Sequence, residues 1–521
     1  MQFRVDPGEL WYGVKVSILI GAVFFIGGRM TREVERYVGP VGEGGVGASE
    51  SPPLVAKASA GAGEKTLAYA ALDNGALILP SHEAVVARRD ALIAAHEDFI
   101  FADLSANELS LYKSGVLTKN FAILGHGKEG TFFETPSGIY RVQSKEENHF
   151  STIGHVWMPW SMHFFGNYFI HGWPTYPDGR AVPPGYSGGC IRLSTADAKE
   201  LFALSTGGMA VLTASAENTT SAAGSMQEQY FRRVAGGTTQ VTAQKPTLSA
   251  PSVLAVDFTT GQILFEQNKD TVRSIASLTK LMTALVAIET INRFKVIPVT
   301  ASAYAVPGDS AGLAVGESFQ SQDYLYPLLL ESSNDVAALY AEQVGGFVGI
   351  MNQKARGIGM ERTHYADASG LDPDNTSSAA DVFRLLQFLN DHKKPIYDIL
   401  GVRDYTAVSR DGVGVHQWHN VNWPSDDARF VAGKAGFIDA AGYTMAGVWR
   451  MKFAEEGERT VAIITLGSQN QTGDTNALID YLEKNFVYGT VLTHKDEPSA
   501  PVRALPASAA LYEAIPALHL R

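Results

Sequence analysis

The chain has one cysteine, Cys190, in the run Tyr186-Ser187-Gly188-Gly189-Cys190-Ile191-Arg192, a short distance after His171-Gly172. A thiol is a useful nucleophile only as thiolate, and a neighbouring imidazole is the usual means of making it one. A lone cysteine forms no internal disulfide and is a poor start on a zinc site. The plainest alternative is a small buried apolar residue; the flanking glycines and the upstream His-Gly weigh against it. On this reading His171 takes the Cys190 proton and later activates an acceptor amine. Gly188, Gly189 and the Cys190 amide can approach a carbonyl oxygen closely, as an oxyanion hole requires. Arg192 is placed to hold a substrate carboxylate, with a structural ion pair as the alternative.

A second constellation follows. Ile275 to Ala284 reads as the start of a buried helix, with Leu278, Leu281, Met282 and Leu285 at helical spacing. Ser277 and Lys280 are then i and i+3 on one face, so the lysine can reach the hydroxyl. A lysine that loses solvation beside a serine can act as its base. The pattern alone is weak, because Ser110-Leu111-Tyr112-Lys113 repeats it in what reads as a strand. Order adds weight: Ser332-Ser333-Asn334 comes next, and then Gly433-Lys434-Ala435-Gly436-Phe437.

The first constellation resembles the YkuD-type L,D-transpeptidases, whose signature is a His, a spacer, then Ser/Thr-His-Gly-Cys. His171, Ser187, Gly189, Cys190 and Arg192 fall on it, with Gly172 beside them as a substrate or oxyanion candidate, and Thr135-Pro136-Ser137-Gly138 resembles the turn before the next strand. The departure is Gly188, where the family has its second histidine. The other constellation resembles the Ser-x-x-Lys, Ser-x-Asn, Lys-Thr-Gly set of penicillin-binding proteins and serine β-lactamases. Ser369-Gly370-Leu371-Asp372, His419-Asn420-Val421-Asn422 and Asp439 to Tyr443 resemble the D-alanyl-D-alanine carboxypeptidase branch. No Glu-x-x-Leu-Asn loop of the β-lactamase kind lies between Asn334 and Lys434. The resemblance implies acylation of Ser277, Lys280 as its base, Ser332 as proton relay, and Asn334, Lys434, Ala435 and Gly436 around the substrate. Ala435 departs from the family's Thr or Ser. A missing hydrogen bond to a carboxylate costs roughly 1.5–3 kcal/mol, so endopeptidase action on D,D-crosslinks stands beside carboxypeptidase action.

The 521 residues have room for two such domains, and 45 % hydrophobic content can fill two cores. A formal net charge of −12 gives no sign of nucleic-acid binding. The fold expected is a β-rich YkuD-type domain over 99–214, then an α/β serine DD-peptidase (β-lactamase-like) domain over 249–488. A helical lead-in is expected over 67–98, from about Ala84 to Glu97. Segments 39–66 and 215–248 read as flexible linkers and 489–521 as a Pro- and Ala-rich tail. The second linker, if flexible, spans roughly 30–35 Å and favours hand-off between the domains.

Within segment 1–38, Leu10 to Gly28 is apolar except for Lys15 and is long enough for a membrane helix. An uncleaved anchor is expected, with a cleaved signal as the alternative; Arg29, Arg32 and Arg36 sit awkwardly for an extracytoplasmic enzyme. The expected partners are peptidoglycan stem peptides, β-lactams as inhibitors and the membrane, in the bacterial envelope. No nucleic acid, metal or organic cofactor is implied. A wall-binding pseudoenzyme is the competing reading, and a redox or metal protein a weaker one.

Overall fold

The computed structural model describes residues 55–57, 67–71, 81–215, 229–235, 244–308, 311–410, 412, 414–422, 427–453 and 458–489. The apolar run Leu10 to Gly28 and the tail after 489 lie outside these residues. Among the described residues no helix is long and apolar enough to cross a membrane.

The cysteine-bearing half is built on two sheets. A five-stranded sheet runs in the order Val116–Ala122, Glu108–Lys113, Phe99–Asp103, Ala210–Ala214, Gly138–Arg141. Successive side chains of a strand face opposite sides, and Phe99–Asp103 uses both. Ile100 and Ala102 enter a core with Leu109, Leu111, Met162, Ile170, Ile191 and Val211. Phe99 and Phe101 pack instead with Val85 and Leu92, which lie on a helix, Ser81–Ala94. The helical lead-in therefore exists, a few residues earlier than expected. A four-stranded sheet, Ile191–Arg192, Tyr168–His171, Val156–Phe165, Ser144–Ser151, closes the other side of the main core.

The serine-bearing half has an antiparallel sheet in the order Ile263–Gln267, Ser252–Asp257, Glu458–Ser468, Gly442–Lys452, Phe430–Ile438. One face packs on the helix Gln471–Asn485 through Val253, Ala255, Ile463, Leu478 and Leu482. The other, through Leu254, Val256, Ala462 and Ile464, meets a helical lobe. At its centre is Thr279–Thr290, whose residues from Thr279 to Ala287 are all buried. A helix buried on all its faces is a core helix, so its first turn is held rigidly.

Both linker expectations are corrected. Gln229–Ala235, inside the expected second linker, is a strand between Leu67–Ala71 and Phe486–Gly489. Val55–Lys57, inside the first, pairs with Leu67–Ala71. The strand is anchored by Tyr230, which is buried and donates to Asp257 Oδ2 at 2.7 Å. The surrounding Ser, Thr, Gly and Gln hid this short apolar segment in the sequence.

The two halves also share a buried contact. His392 Nδ1 and Glu134 Oε1 are 3.0 Å apart, and Lys393 Nζ donates to Glu134 O at 2.7 Å. Lys354 Nζ donates to Tyr140 OH at 2.9 Å and Glu289 Oε1 at 3.0 Å. The turn after Val156–Phe165 rests on the far end of the Thr279–Thr290 helix, where Asn167 N donates to Glu289 O at 3.3 Å. Gly166 has φ +48°, and a Cβ there would meet Glu289 O at 2.7 Å; the approach depends on glycine. Packing, not tether length, sets the separation of the domains.

Candidate active sites

His171 ends the strand Tyr168–His171, which pairs in parallel with Ile191–Arg192, placing Arg192 opposite His171. Its Nδ1–H donates to Gly172 O at 2.6 Å. A carbonyl can only accept, so in the neutral ring the free lone pair is on Nε2. Burial lowers the His171 pKa to about 4, so the ring is neutral at pH 7 with the Nε2 lone pair free. Burial likewise pushes the Cys190 thiol up to about 11, against the opposing effects of the Phe169 amide and Arg192. The resting pair is thus thiol and imidazole rather than an ion pair. Sγ–H donates to Asn167 O at 3.7 Å, not to the imidazole.

The turn before Cys190 is braced from within. Ser187 Oγ donates to Cys190 O at 2.6 Å and accepts from Gly189 N at 2.9 Å. Gly189 has φ +113°, and a Cβ on it would lie 2.1 Å from the Tyr168 ring. Its carbonyl accepts from Thr135 Oγ1 at 2.8 Å, so the Thr-Pro turn clamps the nucleophile loop. These bonds narrow the expected oxyanion donors. Gly189 N is engaged by Ser187, and Gly172 N donates to Pro159 O at 2.8 Å. Ser187 N donates to His126 O at 2.9 Å. Among the described residues only the Gly188 and Cys190 amides in this set have no internal acceptor. No atom lies within 4 Å of a Cβ placed on Gly188, so the missing histidine leaves open space. Arg192 is half-buried, with Nη1 3.4 Å from Gly185 O, its guanidinium 5.8 Å from the Trp173 ring centre, and no partner for Nε among the described residues.

The serine centre is more tightly assembled. Ser277 lies in the 3-10 turn Ala276–Leu278 leading into the buried helix. Lys280 Nζ is 3.0 Å from Ser277 Oγ, 2.8 Å from Asn334 Oδ1 and 2.6 Å from Ser369 O. Desolvation lowers its pKa to about 7, with Asp367 acting in the opposite sense. Ser332 has φ +62°, a strained conformation for a non-glycine residue, and its hydroxyl makes no hydrogen bond among the described residues. Asn334 opens the helix Asn334–Gln343, capped by Ser333 Oγ. Gly436 lies on the edge strand, and a Cβ there would be 2.6 Å from Ser277 N.

Lys434 Nζ donates to Asn422 Oδ1 at 2.8 Å and Ala435 O at 2.7 Å. Burial, then repulsion from Lys280, lowers its pKa strongly. Ala435 N also donates to Asn422 Oδ1, at 2.9 Å, and the Ala435 side chain is half-buried opposite Met445. Asn422 was given no role by sequence reasoning, although its motif stood out; only the fold shows that it holds Lys434. The competing Ser110 and Lys113 are occupied elsewhere, by Asn120 and Asp98.

A cysteine–imidazole loop on a sheet and a serine–lysine pair beside an edge strand define one cysteine-type and one serine-type acyl-transfer domain. The YkuD L,D-transpeptidase catalytic domain matches residues 97–213, and the peptidase family of D-alanyl-D-alanine carboxypeptidases matches residues 239–470. The chain carries both domains, and both are enzyme domains. A D-alanyl-D-alanine endopeptidase of Pseudomonas aeruginosa is 37 % identical over 145 residues, 27 % of this chain and 47 % of that protein. Another, of Escherichia coli, is 25 % identical over 276 residues, 50 % of this chain and 87 % of that protein. The chain thus spans about half the length of the first relative and most of the second. The crystal structure of a Streptomyces DD-transpeptidase shares 25 % identity with a TM-score of 0.42, covering 46 % of this chain and 99 % of that one.

Proposed function

We propose that the chain is a bifunctional peptidoglycan enzyme acting in the bacterial envelope, with an N-terminal anchor in the membrane. The observation that carries the serine half is a buried Lys280 amine, pKa about 7, 3.0 Å from Ser277 Oγ. Neutral Lys280 takes the Ser277 proton as Oγ attacks the penultimate D-Ala carbonyl. The proton passes to the departing D-Ala amine, with Ser332 as relay. Water, deprotonated by the same amine, then hydrolyses the ester. Asn334 and Lys434 position the peptide, and the edge strand at Gly436 lies along it.

In the cysteine half, Sγ turns from Asn167 O to His171 Nε2, gives up its proton and attacks the carbonyl preceding the terminal D-Ala of a tetrapeptide stem. The Gly188 and Cys190 amides receive the oxyanion. D-Ala leaves with the His171 proton, and an acceptor amine, deprotonated by His171, displaces the thioester. Arg192 is assigned to a substrate carboxylate.

D,D-endopeptidase action is the second reading of the serine half. Two relatives carry that name, and Ala435 offers no hydroxyl to a terminal carboxylate. Mass spectrometry after incubation with a penicillin and with a carbapenem tests the whole. Adducts on Ser277 and Cys190 are expected; no adduct on either would leave a wall-binding protein.

A further inference from the structure

A cleft between the domains is lined by Asn167, Tyr168 and Gly188 on the cysteine side and by Glu289, Ile291 and Arg293 on the serine side. Asn167 is the residue whose carbonyl receives the Cys190 thiol, and Gly188 is two positions from it, so the cleft reaches the nucleophile loop. Its polar groups are unusual. The Arg293 guanidinium lies 5.4 Å from the Phe132 ring centre, 4.6 Å from that of Phe133 and 4.4 Å from that of Phe294. Aromatic faces hold a cation without supplying a hydrogen-bond acceptor. Arg293 Nε is buried with no partner, and its side chain makes no ion pair among the described residues. A buried nitrogen without a partner is costly, and a carboxylate seated on the guanidinium offsets that cost through charge-assisted, two-pronged hydrogen bonds. Gly188 lines the same cleft as Arg293, and a Cβ placed on it would meet nothing within 4 Å.

We propose that Arg293, carried by the serine domain, binds the terminal carboxylate of the peptide engaged at Cys190, so that both domains complete the cysteine site. This rests on the acyl-transfer reading of Cys190. That carboxylate is the charged group nearest the bond to be broken. A guanidinium that holds it orients the leaving D-Ala and favours donors with a free terminus.

Because Cys190 is the chain's sole cysteine, iodoacetamide modification reports the occlusion of Cys190 alone, and the Arg293 variants report the part played by the cleft. The full-length protein would be treated at pH 9 with a D-Ala-terminated tetrapeptide, as free acid or C-terminal amide, and Cys190 modification followed by mass spectrometry. The free acid should protect at about tenfold or more lower concentration than the amide, the effect of a lost charge-assisted hydrogen bond. Arg293→Gln should make the two peptides equivalent, and Arg293→Lys should retain part of the preference. Penicillin acylation of Ser277 serves as the folding control. Equal protection by acid and amide in the unaltered protein, or an acid preference that survives Arg293→Gln, would overturn the assignment. Acid-selective, Arg293-dependent protection without any transfer product would uphold the subsite while removing the transferase reading.

Discussion

Lys354 Nζ lies 3.0 Å from Glu289 Oε1 with both side chains fully buried where the cysteine and serine domains meet. Lys393 approaches the same carboxylate at 3.6 Å, so one anion serves two buried cations. Removing one partner of a buried pair typically costs about 3–5 kcal/mol, because the remaining charge is stranded. Glu289→Gln should therefore destabilise the protein by about that much in urea unfolding, and more than Lys354→Met, which leaves Lys393 to face Glu289. A loss below about 1 kcal/mol for Glu289→Gln would show that the cluster does not hold the domains.

The same cluster gives stability a pH dependence. Burial lowers the Lys354 pKa from 10.5 to about 8, with Glu289 opposing the shift. Between these values the unfolded chain binds more protons than the folded one, so this group's contribution rises with pH across the window. Unfolding free energies measured from pH 8 to 10 should include that rise, and Lys354→Met should make the slope shallower while leaving the parts due to Lys280 and Lys434.

Acylation of Ser277 should follow the neutral fraction of Lys280. With its pKa near 7, the second-order rate with penicillin should fall about tenfold per unit below pH 7 and level off above it. A rate flat from pH 5 to 8 would remove Lys280 as the base.

Cys190 should react as a resting thiol. Burial pushes its thiol up to about 11 and lowers the His171 pKa to about 4, which favours a neutral thiol–imidazole pair at neutral pH. Without substrate, iodoacetamide modification should accelerate about tenfold per pH unit from 7 towards 10. A plateau from pH 5 to 9 would instead reveal an ion pair.

Asn422 is the acceptor for both Lys434 Nζ and the Ala435 amide. Asn422→Ala leaves the Lys434 amine with Ala435 O alone and the Ala435 amide without its acceptor, and should cost about 1–3 kcal/mol, with a fall in Ser277 acylation. Cys190 alkylation should be unaffected, since Asn422 belongs to the other domain. Equal losses at both sites would point to general unfolding.

Packing between the domains also predicts the result of cutting the chain. A protease site placed within 216–228 should yield two pieces that still elute together, held by the contacts of Glu134, Glu289, Lys354 and Lys393. Separate elution would restore the picture of tethered, independent domains.

Much of both centres was legible in the sequence. Ser277 and Lys280 are one helical turn apart, so naming the helix already puts amine and hydroxyl together. Cys190 and its glycines form one short loop. Local spacing determines these relations, and residue types determine their chemistry.

Other features depended on chain segments far apart in sequence. Asn422 reaches Lys434 because two segments converge on the edge strand, and Gln229–Ala235 is a strand because Leu67–Ala71 and Phe486–Gly489 lie beside it. Arg293 follows a helix of one domain yet lies against Phe132 and Phe133 of the other. The free amides near Cys190 could be identified only after every competing acceptor had been placed. Sequence alone thus singled out Cys190 with His171 and Ser277 with Lys280. Tertiary structure decided that the domains share a buried charged interface and a common cleft, because burial and desolvation depend on neighbours that no local pattern names.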